Sequence, residues 1–183
     1  MLRCPRLVIA TPTAIPDVVI LDLTPVGDSR GFFARSFSVT EMAALKLETV
    51  IRQCGISWNS EAGTIRGMHY QEEPNGESKF VRCSAGRVYD VVIDVRRVSP
   101  TFGQWISVEL SAQNHRQLFV PAGCAHGFQT LVDHTEVTYL LSHEHRPDRD
   151  LGIRWDDPAI GIPWPLPVAV ISPRDAAFSD FQR

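Results

Sequence analysis

Two histidines stand in stretches that otherwise read as strand. His69 lies in TIRGMHYQEE, residues 64–73, between the cation Arg66 and the aromatic Tyr70. His126 lies in VPAGCAHGF, where Pro121 and Gly123 turn the chain into a new strand and the histidine stands at its start. A histidine so placed holds a metal, moves a proton or fills space. Strands alternate faces, so His69 and Gln71 share one face and Met68 and Tyr70 the other. A metal set drawn from here would be His69, Gln71 and His126. Two imidazoles and an amide make a poor divalent site, because tight sites use three or four anionic or imidazole ligands. Cations also cluster along these segments: Arg30 in DSRGFF, Arg66 and Lys79. Unpaired charge is costly to bury, so cations gathered near a half-buried histidine point to an anionic ligand. The alternative is that each faces solvent.

The rest of the chain sets the frame for these residues. With 183 residues and 44% hydrophobic content, it is predicted to be one globular domain over 1–183 with its own core. A net charge of -3 gives no general attraction to nucleic acid or to an anionic membrane. Cys4, Cys54, Cys83 and Cys124 are dispersed and form no CxxC pair. They read as reduced thiols, neither zinc ligands nor a disulfide scaffold. No apolar run reaches membrane length and no signal segment is seen, which predicts a cytoplasmic protein.

Thirteen prolines and twelve glycines punctuate short apolar runs. VVILDL, FFARSF, KFVRCS, RVYDVVIDV, QWISVEL, RQLFVPA, HGFQTLV and EVTYLLS read as strands of about 5–9 residues. Turn signals lie between them: VGDSRG, EPNGES, SAG, VSPTFG and VPAGCA. Only TEMAALKLE, residues 40–48, reads as a helix, with Thr40 as its cap. Many short strands predict an all-β sandwich or barrel, whose hollow can hold a small molecule among inward polar side chains. The Pro- and Trp-rich tail from about residue 147 is too irregular for a sheet. It is expected to wrap the barrel and return to its mouth.

The spacings G-x5-H-x-Q, Gly63 to Gln71, and P-x-G-x-x-H, Pro121 to His126, resemble the two cupin motifs. Gln71 replaces the second histidine of the metal-binding form, and Glu72 and Glu73 come too early to be its glutamate. DSRGFFARSF, TIRGMHYQ, KFVRCSAGRVYDVVIDVRRVSPTFGQW, LFVPAGCAHGFQTL, GIRWDDPAIGIPWP and ISPRDA follow in order. Together they resemble the dTDP-4-dehydrorhamnose 3,5-epimerase family, from about residue 18 to about residue 178. That resemblance implies a cupin-type jelly roll with a few short peripheral helices. It implies a homodimer needing no metal or other cofactor. It further implies epimerisation beside the C4 ketone of a nucleoside-diphosphate 6-deoxy sugar in deoxysugar or surface-polysaccharide biosynthesis. His69 matches the family's proton acceptor, Asp175 the carboxylate that pairs with it, and Tyr139 the proton donor. Lys79, Arg66 and His126 match contacts to the sugar, its enolate or the diphosphate, with Lys79 the first choice for the enolate oxygen. Arg30 matches a nucleotide-phosphate contact, which an N-terminal segment can carry to the other subunit. Gln53, His145, Asp150 and Arg174 occupy further substrate-binding positions.

The departures gather in the nucleotide and sugar contacts. Arg35 stands where the family usually has glutamate, and Gly55 where it has asparagine. His145 takes the place of a tyrosine that stacks on thymine, and Asp150 that of a longer glutamate. The proton-transfer set is kept while the base-reading set is altered, so the reaction is expected to be retained, with a choice of nucleotide or sugar still open. Rival readings are a metal-dependent cupin enzyme on His69, Gln71 and His126, a sugar-nucleotide 3,4-ketoisomerase, and a binding module without turnover.

Overall fold

The computed structural model describes residues 8–71 and 76–182. Cys4, Glu72 and Glu73, and with them part of the EPNGES turn, lie outside the described residues. The elements run β1 (Val8–Pro12), β2 (Val19–Leu23), β3 (Val26–Asp28), β4 (Gly31–Phe33), α1 (Val39–Ala44), β5 (Gln53–Asn59), β6 (Thr64–Gln71) and β7 (Lys79–Ala85). There follow β8 (Arg87–Asp94), β9 (Trp105–Ser111), β10 (Arg116–Val120), β11 (Cys124–Thr130) and β12 (Thr135–Leu141). After a 3-10 turn at Pro147–Arg149 come β13 (Asp150–Gly152), β14 (Val170–Ile171) and α2 (Pro173–Ala176).

Strands β1-β2-β10-β7-β12-β5 form one sheet and β13-β6-β11-β8-β9 a second, with β14 also paired to β6. Alternation puts every second side chain between the sheets. Val81, Cys83, Leu118, Val120 and Val137 from the first meet Val88, Val92, Val108, Leu110 and Phe128 from the second in one buried cluster. The outer face of the first sheet is sealed by Met42 of α1 over Leu21, Phe80 and Phe119. The outer face of the second is sealed by the C-terminal segment, where Ile153, Ile160 and Trp164 cover Met68, Val91 and Ile93. The expected all-β, cupin-type jelly roll is what forms. Among the described residues no helix is long and apolar enough to cross a membrane.

Local expectations differ in five places. The helix runs over Val39–Ala44 with Ser38 at its N-cap, so Thr40 lies inside it and caps nothing. Met42 is its one buried anchor, and Lys46 at φ 60° turns the chain away. FFARSF supplies strand only to Phe33; Ala34 and Phe37 instead pack on the cluster under α1. Strand β5 had no strand reading because its apolar residues point outward: Cys54, Ile56 and Trp58 are exposed, while Ser57 faces the interior. Strand β11 begins at Cys124, so His126 is its third residue and not its first. Finally, the tail does join a sheet, since β13 and β14 both pair with β6. It also returns to the roll as expected, held by the Gln129 amide, which donates to Leu166 O and accepts from Leu166 N.

Candidate active site

Strand β6 is the backbone of the site. It runs beside β11 with a register shift between His126 and Phe128, where His126 faces His69 and Phe128 faces Arg66. The close approach depends on two facing glycines. A Cβ at Gly127 would meet Met68 Sδ at 2.6 Å and Arg66 O at 2.7 Å, and Gly67, at φ 135°, would meet Gly127 Cα at 2.6 Å. As alternation requires, Met68 and Tyr70 go to the outer cluster under the tail. His69 points instead into a cavity of about 230 Å³.

That cavity brings together five of the predicted residues, His69, Tyr139, Lys79, Arg66 and His126, with Ser57 and Glu77 also on its wall. Asp175 reaches His69 from α2, where Ser172 caps the helix by accepting from the Asp175 N–H. The His69 Nε2 to Asp175 Oδ1 distance is 2.8 Å, and the Gly67 N–H donates to Asp175 Oδ2 at 3.1 Å. Burial pushes the Asp175 carboxyl up. The bond and charge of His69, with the Gly67 N–H and Ser172, outweigh this and leave it below the ordinary carboxylate range. Asp175 therefore stays ionised at neutral pH and accepts from His69 Nε2–H. In a neutral ring this bond puts the lone pair on the second nitrogen, the form in which an imidazole can take up a proton. The stability this carboxylate adds is present above the ordinary carboxylate pKa and is lost as pH falls through its own lowered value.

Asp175→Asn keeps the size of the side chain but removes the charge that fixes the ring. We expect kcat to fall by about 100-fold with little change in KM, part of the 10²–10⁴ that a positioned base contributes. Initial rates with the sugar-nucleotide substrate check it.

Tyr139 projects from β12. Its hydroxyl lies 3.3 Å from Ser57 Oγ, and burial raises its phenol well above the usual tyrosine value, against the opposing effects of Ser57 and Arg66. The phenol is thus held in its protonated form. Its ring meets His126 edge-on, with centroids 6.4 Å apart. His126 Nε2 sits 2.9 Å from Asp90 Oδ2, deep in the roll. Burial raises the Asp90 carboxyl, while His126 and Lys79 pull the other way. Lys79 Nζ lies 3.5 Å from Glu77 Oε1. Arg66 is steadied by Asn59 Oδ1 at 2.7 Å and Trp58 O. His69 and His126 thus each have their own carboxylate, and among the described residues no group of three or more His, Cys, Asp or Glu is placed to hold a metal ion.

The other predicted residues lie outside this cavity. Arg174 lines an adjoining chamber of about 310 Å³ that shares Arg66 and His69. Its guanidinium donates to Asp150 Oδ2 at 3.0 Å. His145 Nε2 stands 3.5 Å from the same oxygen, its Nδ1 stands 3.4 Å from Gln71 Nε2, and its N–H donates to Gln53 Oε1. Gln53, His145, Asp150 and Arg174 therefore form one polar cluster beside the site. Arg30 is not brought to it: the arginine is exposed on the β3–β4 hairpin and paired with Asp28. A larger depression of about 510 Å³ near Glu48 and Arg146 contains no predicted residue.

Sequence reasoning missed Glu77, Asp90 and Ser57. Asp90 had a visible signal, a carboxylate in the otherwise apolar run RVYDVVIDV. Glu77 is two residues from Lys79 and so on its side of an extended chain. Ser57 was hidden with β5.

The model for the family described as dTDP-4-dehydrorhamnose 3,5-epimerase matches residues 12–183. A relative of that description from Salmonella typhimurium is 42% identical over 172 residues, covering 93% of this chain and 94% of its own. The crystal structure of a dTDP-4-dehydrorhamnose 3,5-epimerase from Bacillus anthracis with TDP and PPi bound is similar at a TM-score of 0.93 and 40% identity, covering 95% of this chain and 99% of that one. A dTDP-6-deoxy-D-glucose-3,5-epimerase from Legionella pneumophila in complex with dTDP-4-keto-L-rhamnose is similar at a TM-score of 0.88 and 37% identity, covering 93% of this chain and 91% of that one. The chain belongs to the dTDP-4-dehydrorhamnose 3,5-epimerase family, and it is an isomerase, a sugar-nucleotide epimerase.

Proposed function

We propose that this protein inverts C3, C5 or both of a dTDP-linked 4-keto-6-deoxy sugar through an enolate, with His69 as base and Tyr139 as acid. The observation that carries the reading is that His69, backed by Asp175, and Tyr139 line one cavity together with the cations Lys79 and Arg66. A proton beside a ketone is removable because the charge moves to oxygen. An imidazole, whose ordinary pKa is about 6.5, takes it with useful driving force. Lys79 supplies the positive charge where the enolate oxygen develops, which is commonly the largest catalytic term. Tyr139 returns a proton to the other face, and inversion results. Arg66 and Arg174 suit the diphosphate, since a guanidinium binds phosphate oxygens bidentately.

We further read the working enzyme as a cytoplasmic homodimer of a single-domain chain, acting in deoxysugar biosynthesis and calling on no cofactor. The β3–β4 hairpin exposes Val26, Phe32 and Phe33 around Arg30, which suits a segment that carries this cation to a second copy of the chain.

The test is turnover of the dTDP-linked 4-keto-6-deoxyhexose in heavy water. Deuterium is expected at C3, C5 or both, with the configuration inverted there. Conversion without solvent deuterium, or a carbonyl moved to C3, overturns the reading. Competition by dTDP, UDP, GDP and CDP, with dTDP expected to bind tightest, checks the nucleotide.

A further inference from the structure

We propose that Glu77 is a positioning residue for the reaction, the buried counter-ion that holds the Lys79 ammonium in place within the cavity. This rests on the role given to Lys79 above and goes beyond it. Both side chains are nearly inaccessible, Glu77 at 6% and Lys79 at 11%, and both line the cavity that holds His69 and Tyr139. A charge taken out of water needs a partner, and Glu77 is the carboxylate that stands with Lys79 as an ion pair.

Two features make this pair different from a structural salt bridge. First, it is loose. The 3.5 Å separation exceeds the 2.7–2.9 Å typical of a charge-assisted hydrogen bond, and Glu77 Oε2 is buried with no hydrogen-bond partner among the described residues. An ammonium has three donors, so Lys79 keeps N–H groups for an oxygen of the substrate. Second, the segment is pinned although it precedes the strand. The Ser78 N–H donates to Ser142 Oγ at 2.9 Å, and the Ser142 N–H donates to Ser78 O at 3.1 Å. Glu77 and Lys79 flank that clamp, so the carboxylate holds the ammonium from a fixed base.

The charge balance gives the proposal a signature. The substrate is anionic, so removing the Glu77 charge without changing its shape makes the cavity more positive and favours binding. The same change frees the ammonium from its anchor and slows the step in which the enolate forms. Glu77→Gln is expected to lower kcat by about 10-fold while KM stays level or falls. Glu77→Ala is expected to lower kcat by about 10- to 100-fold, the range for leaving a buried charged donor without its partner.

The deciding measurement is a double-mutant cycle with Lys79→Met, scored by deuterium uptake from heavy water at high enzyme concentration and long incubation, so that slow proton removal by His69 is still counted. Glu77→Gln is expected to change the rate by less than about 2-fold in the Lys79→Met background. An equal loss in both backgrounds overturns the proposal, as does a raised KM with unchanged kcat. Loss of the near-ultraviolet dichroism of Glu77→Gln also overturns it, because the carboxylate would then be structural. If wild-type protein shows no uptake at all, the proposed function fails. Uptake by wild type with additive variants sinks the Glu77 role alone.

Discussion

His69→Ala is expected to lower kcat by about 10³–10⁴ and to abolish deuterium uptake at the carbon beside the ketone. A positioned general base contributes about 10²–10⁴, and the upper part of that range is expected if His69 is the base, as proposed. The fold should survive the change. The imidazole is more than a third exposed at 37%, and its packing partner Phe178 meets it only edge-on. Near-ultraviolet dichroism and dTDP affinity close to wild type would show that the loss is chemical. A variant that still exchanges deuterium at a tenth or more of the wild-type rate would remove His69 from the role of base.

Tyr139→Phe separates the two halves of the reaction. Removing the phenol leaves His69, Asp175 and Lys79 untouched, so the proton should still come off and exchange with solvent on the face that His69 serves. Delivery to the opposite face should fall by about 10²–10³, as for loss of a general acid. The expected result is a substrate that gains deuterium with retained configuration while inverted product becomes scarce. Burial raises the tyrosine pKa, so the phenol is protonated throughout the working range and no alkaline fall in activity should come from it near pH 8–9. Parallel loss of exchange and inversion would mean that Tyr139 acts elsewhere in the reaction.

The fold was legible because alternation is a local signal. Seven of the strands run close to their apolar stretches, and the opposite faces of His69 and Met68 followed from position alone. The same signal failed at β5, where Ile56 and Trp58 face out, and at FFARSF, where the strand stops at Phe33 and Phe37 packs under α1 away from any ladder. The site was legible only in part. His69, Arg66 and Lys79 stood out by type and by crowding. Tyr139 and Asp175 came from the resemblance, since periodicity says nothing about contacts over such chain separations. His145 was placed by the resemblance at a stacking position, and its ring stands half-exposed beside Asp150 and Gln71. Glu77 escaped notice because a turn glutamate looks solvated until the chain folds over it.

The bond between His69 and Asp175 spans 106 residues of chain, and its carboxylate arrives on α2, after both sheets have been threaded. A nascent polypeptide that has emerged from the ribosome only as far as β12 holds most of the strands of both sheets and the imidazole, but lacks β13, β14 and the carboxylate that orients the ring. Orientation of the imidazole therefore waits until the segment after β14 has been made and has folded back onto β6. In refolding, recovery of turnover should trail recovery of the sheet's circular dichroism.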